Sequence, residues 1–380
     1  MEQFDLEKIV KPLLGWYDAH ARILPWREEP TAYRVWVSEI MLQQTRVEAV
    51  RKYYDRWMEQ LPTIQDLAEV SEENLMKLWE GLGYYNRARN LKEAAITVMG
   101  KFGGQLPGDY EKLLSLKGIG EYTAGAVASI AFGLPEPAVD GNVLRVFSRL
   151  LAEEGEIGKQ AVKKSLTREV RRILPQERPG DFNQALMDLG ATICFPKGQP
   201  LCDKCPWEAA CQAHKMQRET DFPVKAGKKE RRIEKRAVFI IEIHDENGEK
   251  RILLHKRPDK GLLSGLWEFP NVEGQYTLEK IREQMKLQQW PDWMIESLEE
   301  AGTGKHIFSH IEWQMKGYRF AIRKKQQRNL KEIADMIEKT ENEKISGEQQ
   351  TEKRWIWVTK KQIDEQYALP SAFDCFKKRL

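Results

Sequence analysis

The chain is 380 residues long, enough for about two domains that each bury a core of their own. Lys and Arg total 61 against 58 acidic residues, which excludes bulk positive charge as a route to nucleic acid, so any phosphate-binding surface must be local. No signal-peptide pattern and no apolar run of membrane-spanning length is present, so the expectation is a cytoplasmic chain with no membrane partner and no structural disulfides.

From Phe4 to about Gly190 apolar residues recur at helical spacing almost throughout, with runs at 4–21, 32–45, 47–60, 71–81, 87–102, 159–174 and 180–193. Pro, Gly and Asn punctuate them, which predicts an all-α region with short connections. Within it, the stretch from Leu113 to Asp140 breaks at Lys117-Gly118-Ile119-Gly120 and restarts as a small-residue helix over 121–132. Two glycines there permit a tight hairpin between helices and leave bare N–H groups at the second helix's start, a natural phosphate cradle. Pro135 and Pro137 are expected to end that helix, after which the chain emerges at Val139-Asp140-Gly141-Asn142. Taken alone the pattern is equally an ordinary helical hairpin with Asp140 as an N-cap, since a Gly-x-Gly turn is a weak motif.

Four of the five cysteines follow the last of these helices, spaced Cys194-x7-Cys202-x2-Cys205-x5-Cys211, with Cys375 apart. Thiols so close in a cytosolic chain point to a metal centre. By spacing, a zinc site and an iron–sulfur cluster are both open: only one Cys-x-x-Cys knuckle is present, and an asymmetric four-Cys loop suits a cluster at least as well. The polar, basic segment 218–234 reads as a linker. Strands are then expected at 237–243 and 251–255, joined through Asn247-Gly248, and at 306–315, 318–322 and 355–358; helices are expected at 278–287 and 330–339. The second domain is therefore α+β, over 235–380.

The combination of Gly-x-Gly hairpin, Asp some twenty residues later and four-Cys loop resembles the helix-hairpin-helix DNA glycosylases, and more closely their adenine-specific mismatch branch, the MutY family. The segments that carry it are Leu24-Pro25-Trp26-Arg27, Val37-Ser38-Glu39 through Gln43-Gln44-Thr45, Gly81-Leu82-Gly83-Tyr84-Tyr85-Asn86-Arg87, Gly118-Ile119-Gly120-Glu121-Tyr122-Thr123-Ala124, Val139-Asp140-Gly141-Asn142-Val143, Leu266-Trp267-Glu268-Phe269-Pro270 and Phe308-Ser309-His310. The resemblance implies a multidomain chain. An all-α helix-hairpin-helix glycosylase domain over 1–217 carries a [4Fe–4S] cluster in the loop 194–211, on Cys194, Cys202, Cys205 and Cys211. A linker (218–234) then leads to an α+β domain of MutT-like (Nudix) fold over 235–380. Two departures stand out: the first cysteine gap holds seven residues where the family usually has six, and Gln184 lies where some relatives place a pocket glutamate, so it is assigned no catalytic role. The segment Leu278-Glu279-Lys280-Ile281-Arg282-Glu283 lacks the acidic ladder of a working Nudix box, so the domain is expected to serve recognition rather than pyrophosphate hydrolysis.

Glu39 shares a helix face with Val35, Trp36 and Leu42, and a carboxyl in apolar surroundings holds its proton to higher pH. By resemblance it protonates a flipped adenine at N7 and then directs water. Asp140 remains ionised to stabilise the sugar cation, and Tyr122, Asn142, Trp26 and Arg27 complete the pocket. This division of labour between two carboxylates parallels glycoside hydrolysis. Gln44 and Tyr84 match residues that wedge into the base stack when the target is extruded, with Thr45 behind the wedge. The Gly118–Gly120 hairpin would grip a backbone phosphate, with a carbonyl-bound structural cation as an option. Phe308, Ser309 and His310 resemble the loop that meets 8-oxoguanine, whose N7–H a hydroxyl can accept where guanine offers only an acceptor. The expected partner is double-stranded DNA with A:8-oxoguanine or A:G mispairs, bound by a monomer that is nucleoid-associated if bacterial. The competing functions are a glycosylase for oxidised pyrimidines, whose hairpin lysine is here Tyr122, a non-catalytic mismatch-binding iron–sulfur protein, and an active Nudix hydrolase.

Overall fold

A computed structural model describes residues 6–227, 230–245, 247–287, 295–322 and 355–380; the helix predicted over 330–339 lies outside them. The chain divides into two compact units. One holds the described residues up to Val70 and those from Asn86 to Gly227; the other holds Ser71–Tyr85 and the described residues from Glu230 onward.

The first unit is helical, and its helices follow the apolar periodicity to within a residue or two at most ends: Val47–Gln60, Asn86–Phe102, Glu121–Phe132, Gly141–Leu151, Gln160–Ile173 and Pro179–Thr192. Gly141–Leu151 presents Val143, Val146, Phe147 and Leu150 to Phe182, Leu186 and Leu189 of Pro179–Thr192, with Leu13 and Tyr17 closing the same core. Complete burial of each such side chain contributes ~1.5–3 kcal/mol. Phe147 also meets Trp207 edge-on, 5.9 Å between centroids, which ties the cysteine loop to this core.

Three local expectations need correction. The helix expected over 32–45 stops at Ala32–Leu42: Thr31 caps its start by accepting from the Arg34 N–H (3.3 Å), and Gln44 turns to φ 61°. Arg87 satisfies the freed carbonyls, donating through Nη1 to Ile40, Met41 and Gln43 at 2.7, 3.1 and 2.6 Å. Glu121–Phe132 is ended by Gly133 in the left-handed conformation (φ 67°), ahead of the prolines. Of the two hairpin glycines only Gly118 needs to be glycine. It sits at φ +77°, and a Cβ there would lie 2.6 Å from the Asn90 Cβ, whereas Gly120 caps the helix at φ −98° with open space beside it.

The small-residue helix has a positional purpose. A Cβ on Gly125 would come 2.1 Å from the Pro137 carbonyl oxygen, so the extended segment leading to Asp140 lies directly on it. Buried Asn183 fastens the same segment, accepting from the Ala138 N–H (3.1 Å) and donating to the Glu136 carbonyl (2.9 Å) and to Ser129 Oγ (2.8 Å).

In the second unit the described strands are β1 (Arg232–His244), β2 (Lys250–Lys256), β3 (Trp267–Glu268), β4 (Asn271–Glu273), β5 (Ile295–Ile307), β6 (Ile311–Ile322) and β7 (Trp355–Val358). They form one mixed sheet in the order β3-β2-β1-β6-β5, with β4 added to β1 and β7 to β2. The β1–β2 hairpin turns at Asn247-Gly248 as the dipeptide predicted, with Gly248 at φ 78°. β1 and β6 pair in parallel from Arg232 opposite Ile311 to Ile243 opposite Ile322. Alternation along β1 sends Val238 and Ile240 into one core and Ala237, Ile241 and Ile243 into the other, so both sheet faces are covered. The run expected as one strand over 306–315 is broken by a turn at Phe308–His310, closed by Phe308 N–H to the Ile311 carbonyl (2.8 Å). Within this unit Ser71–Tyr85 is held by Lys77, whose ammonium donates to the carbonyls of Ile363 (2.9 Å) and Tyr367 (3.3 Å). Glu80 accepts in turn from the Leu369 N–H (3.2 Å) and the Lys377 ammonium (3.2 Å).

Candidate active site

The helical unit encloses a cavity of about 850 Å³ between Pro25–Glu28, Ala32–Leu42 and the N-terminal ends of Glu121–Phe132 and Gly141–Leu151. Trp26, Arg27, Glu39, Gln44, Thr45, Tyr122, Asp140 and Asn142 all line it. Residues spread over more than a hundred positions thus converge on a space of the size that small-molecule sites occupy.

Glu39 is buried, 5% exposed, on the inward face of its helix. Burial pushes its carboxyl up to about 7 and the Asp140 charge adds to that; a hydrogen bond from the Tyr122 hydroxyl and the Arg27 charge oppose it without prevailing. The Tyr122 phenol is itself driven well above its ordinary value, by burial first and then by the neighbouring carboxyls, so it serves as a donor. Asp140 caps Gly141–Leu151, accepting from the N–H groups of Asn142 and Val143 (2.8 Å each) through Oδ1 and from the Asn142 amide (2.7 Å) through Oδ2. The capping and the pocket position coexist, because the helix start that anchors the carboxylate also faces the cavity. Asn142 passes the restraint on, accepting from Arg145 Nη2 at 2.9 Å.

Gln44 is exposed at the cavity edge in the left-handed conformation. Tyr84, in the second unit, is also a non-glycine residue at positive φ (47°), and it is 51% exposed rather than packed in a core. A bulky residue held there is costly, and such outliers cluster at functional positions. Its hydroxyl lies 3.0 Å from Ser309 Oγ in the exposed turn after β5. Phe308 supports that turn by packing edge-on against Trp313, 4.9 Å between centroids, while His310 is exposed. Gly118 and Gly120 do not line the cavity; Gly120 starts Glu121–Phe132 with no side-chain cap, leaving its first N–H groups available to an anion.

Cys194, Cys202, Cys205 and Cys211 line one further cavity, together with Arg149 and Trp207, and none forms a disulfide. The donor set fits a metal centre. Burial pushes the Cys202 thiol up to about 11 and the Cys205 thiol up to about 12, so these sulfurs require a compensating cation before they can ionise together. Arg149 Nη1 already donates to Cys194 Sγ at 3.1 Å. His214 and Glu219 stand beside Cys202, joined to one another at 2.5 Å, so a nitrogen donor is also at hand.

Gln184, set at a pocket position by the resemblance, lines the main cavity. Several other residues of this region carry no motif that marks them, Met187 of the cavity lining among them. Arg145 and Arg149 are buried on the apolar side of Gly141–Leu151, and an arginine pair spaced i, i+4 within that side is the only sequence signal. Asp188 is wholly buried and binds Arg22 and Arg27 together. A lone acid inside the apolar run Ala185-Leu186-Met187-Asp188-Leu189 is what could have disclosed it.

Comparison with known proteins matches residues 37–172 to the HhH-GPD superfamily of base excision DNA repair proteins and residues 238–378 to the NUDIX domain. The adenine DNA glycosylase of Arabidopsis thaliana is 41% identical, over 81% of this chain and 56% of its own length; that of Rattus norvegicus is 38% identical, over 84% and 71%. The chain thus spans little more than half of the plant relative. Among solved structures, a thermostable thymine-DNA glycosylase aligns with 55% of this chain and 97% of its own at 30% identity and a TM-score of 0.49.

Proposed function

The chain belongs to the adenine DNA glycosylase family, DNA N-glycosylases of base excision repair, and we propose that it removes adenine from A:8-oxoguanine and A:G mispairs in duplex DNA, by hydrolysis and without cutting the strand. The observation that carries this reading is the buried Glu39 carboxyl, protonated to about pH 7, in the same cavity as the capped carboxylate of Asp140. Adenine leaves a sugar slowly unless a ring nitrogen is protonated. Glu39 delivers its proton to N7, the C1′–N9 bond breaks, and its electron pair passes to the base. The positive charge left on the sugar faces Asp140, whose oxygens are fixed by three N–H donors and need no reorganisation as the charge develops. Water then adds to C1′, and the Glu39 carboxylate takes its proton, restoring the acid.

Tyr122 contributes a hydrogen bond to Glu39 and no amine, so no imine with the sugar forms at that position. Gln44 in the helical unit and Tyr84 in the second unit are each a wedge residue in this reading, and each stands on a left-handed backbone that projects it from its turn. Ser309 accepts from the N7–H of 8-oxoguanine, with Phe308 and His310 beside it, and the hairpin N–H groups after Gly120 hold a phosphate. Cys194, Cys202, Cys205 and Cys211 would hold a [4Fe–4S] cluster, which when bound crosslinks the loop behind Gly141–Leu151.

Purified protein is incubated in single turnover with duplexes carrying A opposite 8-oxoguanine, G, C or T, and abasic sites are revealed with alkali. Adenine release opposite 8-oxoguanine and G, with untreated nicking much slower than release, is the expected result. Nicking that keeps pace with release would overturn the hydrolytic assignment, and equal release opposite T would overturn the mispair specificity.

A further inference from the structure

Asp188, on Pro179–Thr192, has no motif and no contact with Glu39, yet it is the most heavily hydrogen-bonded carboxylate behind the cavity. Its Oδ1 accepts from Arg22 Nε (2.9 Å), Arg22 Nη2 (2.6 Å) and Arg27 Nη2 (2.9 Å), and its Oδ2 accepts from Arg27 Nη1 (2.8 Å) and the Arg22 backbone N–H (3.2 Å). Arg27 Nη1 also donates to the Arg22 carbonyl (3.2 Å), and the guanidinium lies over the Tyr17 ring, 5.8 Å from its centroid. The guanidinium is therefore held on both edges and one face. A fork engaged in this way keeps a single rotamer, where a free arginine samples many.

The charges matter as much as the geometry. Arg27 lines the cavity and its field reaches Glu39, where it opposes protonation. The other groups facing Glu39 are Tyr122 from Glu121–Phe132 and Asp140 from the start of Gly141–Leu151, with Arg22, Arg46 and Glu48 farther round the cavity wall. Arg22 and Arg27 together bring two positive charges to a pocket whose acid must stay neutral. Among the described residues, Asp188 alone is directly paired with both.

We propose that Asp188 is a positioning residue of the reaction: it locks Arg27 against the cavity wall and cancels its charge beside the Glu39 carboxyl, so that the pocket can hold an arginine and a protonated acid together. The inference rests on Glu39 acting as the acid, and it extends that reading to a residue outside the cavity. Consistent with it, burial alone would raise the Asp188 carboxyl, yet hydrogen bonds from Arg27 and Arg22 hold it below the ordinary carboxylate range, so it keeps its charge wherever the enzyme works.

The test follows both activity and the carboxyl itself. With Asp188→Asn, the alkaline limb of single-turnover adenine release from an A:8-oxoguanine duplex should move down by about one pH unit, a loss of about tenfold above both limbs. Asp188→Glu, which keeps the charge, should return the limb to its wild-type position even if the rate is lower. Titration of Glu39 in protein carrying carbon-13-labelled glutamate reads the same shift without any turnover. A Glu39 titration identical in wild type and in folded Asp188→Asn would overturn the inference. A titration that moves in a protein that releases no adenine would instead leave this coupling standing and overturn the proposed function. If Asp188→Asn does not fold, Arg27→Met decides, because it removes the charge beside Glu39 and leaves Asp188 paired with Arg22 alone, and it should move the Glu39 titration upward; an unmoved titration there overturns the inference equally.

Discussion

At the scale of single residues, the cavity holds a buried carboxyl at a cost in stability. Glu39 holds its proton to about pH 7, against an ordinary value of 4.5, because burial penalises the charged form. The folded protein therefore binds more protons than the unfolded chain across that interval. The stability associated with protonated Glu39 is fully present below 4.5 and is lost as pH rises through about 7. Moving from 4.5 to about 7 corresponds to a loss on the order of 3 kcal/mol. Glu39→Gln removes the titration and still accepts from Tyr122. It should abolish adenine release and, at pH 8, raise the denaturant midpoint above that of the wild type; near pH 4.5 the two midpoints should draw together. Chemical denaturation at the two pH values checks this, and a variant less stable than wild type at pH 8 would show that Glu39 is not held as a costly charge. The cavity-lining positions most legible in the sequence were those tied to named motifs. Asp188, Arg145 and Arg149 were not, because a buried charge partner is defined by what faces it, and here those faces come from distant segments.

At the scale of elements, the hairpin separates two uses of glycine. Gly118→Ala places a side chain at φ +77° and drives a Cβ into Asn90, and the left-handed conformation alone costs roughly 1–2 kcal/mol. Gly120→Ala meets neither obstacle. Thermal unfolding should therefore show Gly118→Ala clearly destabilised and Gly120→Ala close to wild type. DNA binding should follow the same order, since the uncapped start of Glu121–Phe132 depends on the turn that precedes it. Equal destabilisation by the two substitutions would mean that the turn relaxes. The periodicity located most helix bodies well because apolar spacing is a local property. It overran the end of Ala32–Leu42 because Leu42-Gln43-Gln44-Thr45 has no strong breaker; the helix is ended by Arg87 reaching its last carbonyls from another helix.

At the scale of the molecule, each unit contributes a separable property. The four-cysteine cavity of the helical unit should yield iron and inorganic sulfide in protein prepared without oxygen. The adjoining segment should become more susceptible to protease when any one cysteine is replaced, since the proposed cluster would add a crosslink to a loop held by Trp207 packing and by hydrogen bonds to Arg145 and Arg149. Stoichiometric zinc without iron would favour Cys202 and its neighbours His214 and Glu219 as the donor set instead. The second unit presents Ser309 next to Tyr84. Ser309→Ala should narrow the preference for A:8-oxoguanine over A:G by about two- to tenfold, the equivalent of one neutral hydrogen bond, with adenine release from A:G left intact. Competition kinetics on the two duplexes checks it, and an unchanged ratio would remove the hydroxyl from lesion reading.

By itself the sequence determined the bodies of most described helices and strands, an all-α region followed by an α+β one, and which residue types could carry the chemistry. Helical periodicity, the Asn247-Gly248 turn and the cysteine spacing are written in neighbouring residues, and a short-range code is readable without a fold. Only the tertiary structure decided that Glu39 is buried deeply enough for its carboxyl to be pushed up to about 7, that Tyr84 stands exposed beside Ser309, and that Arg27 enters the pocket already paired with Asp188. Burial and charge pairing depend on the surroundings that packing creates, and those surroundings are assembled from residues far apart along the chain.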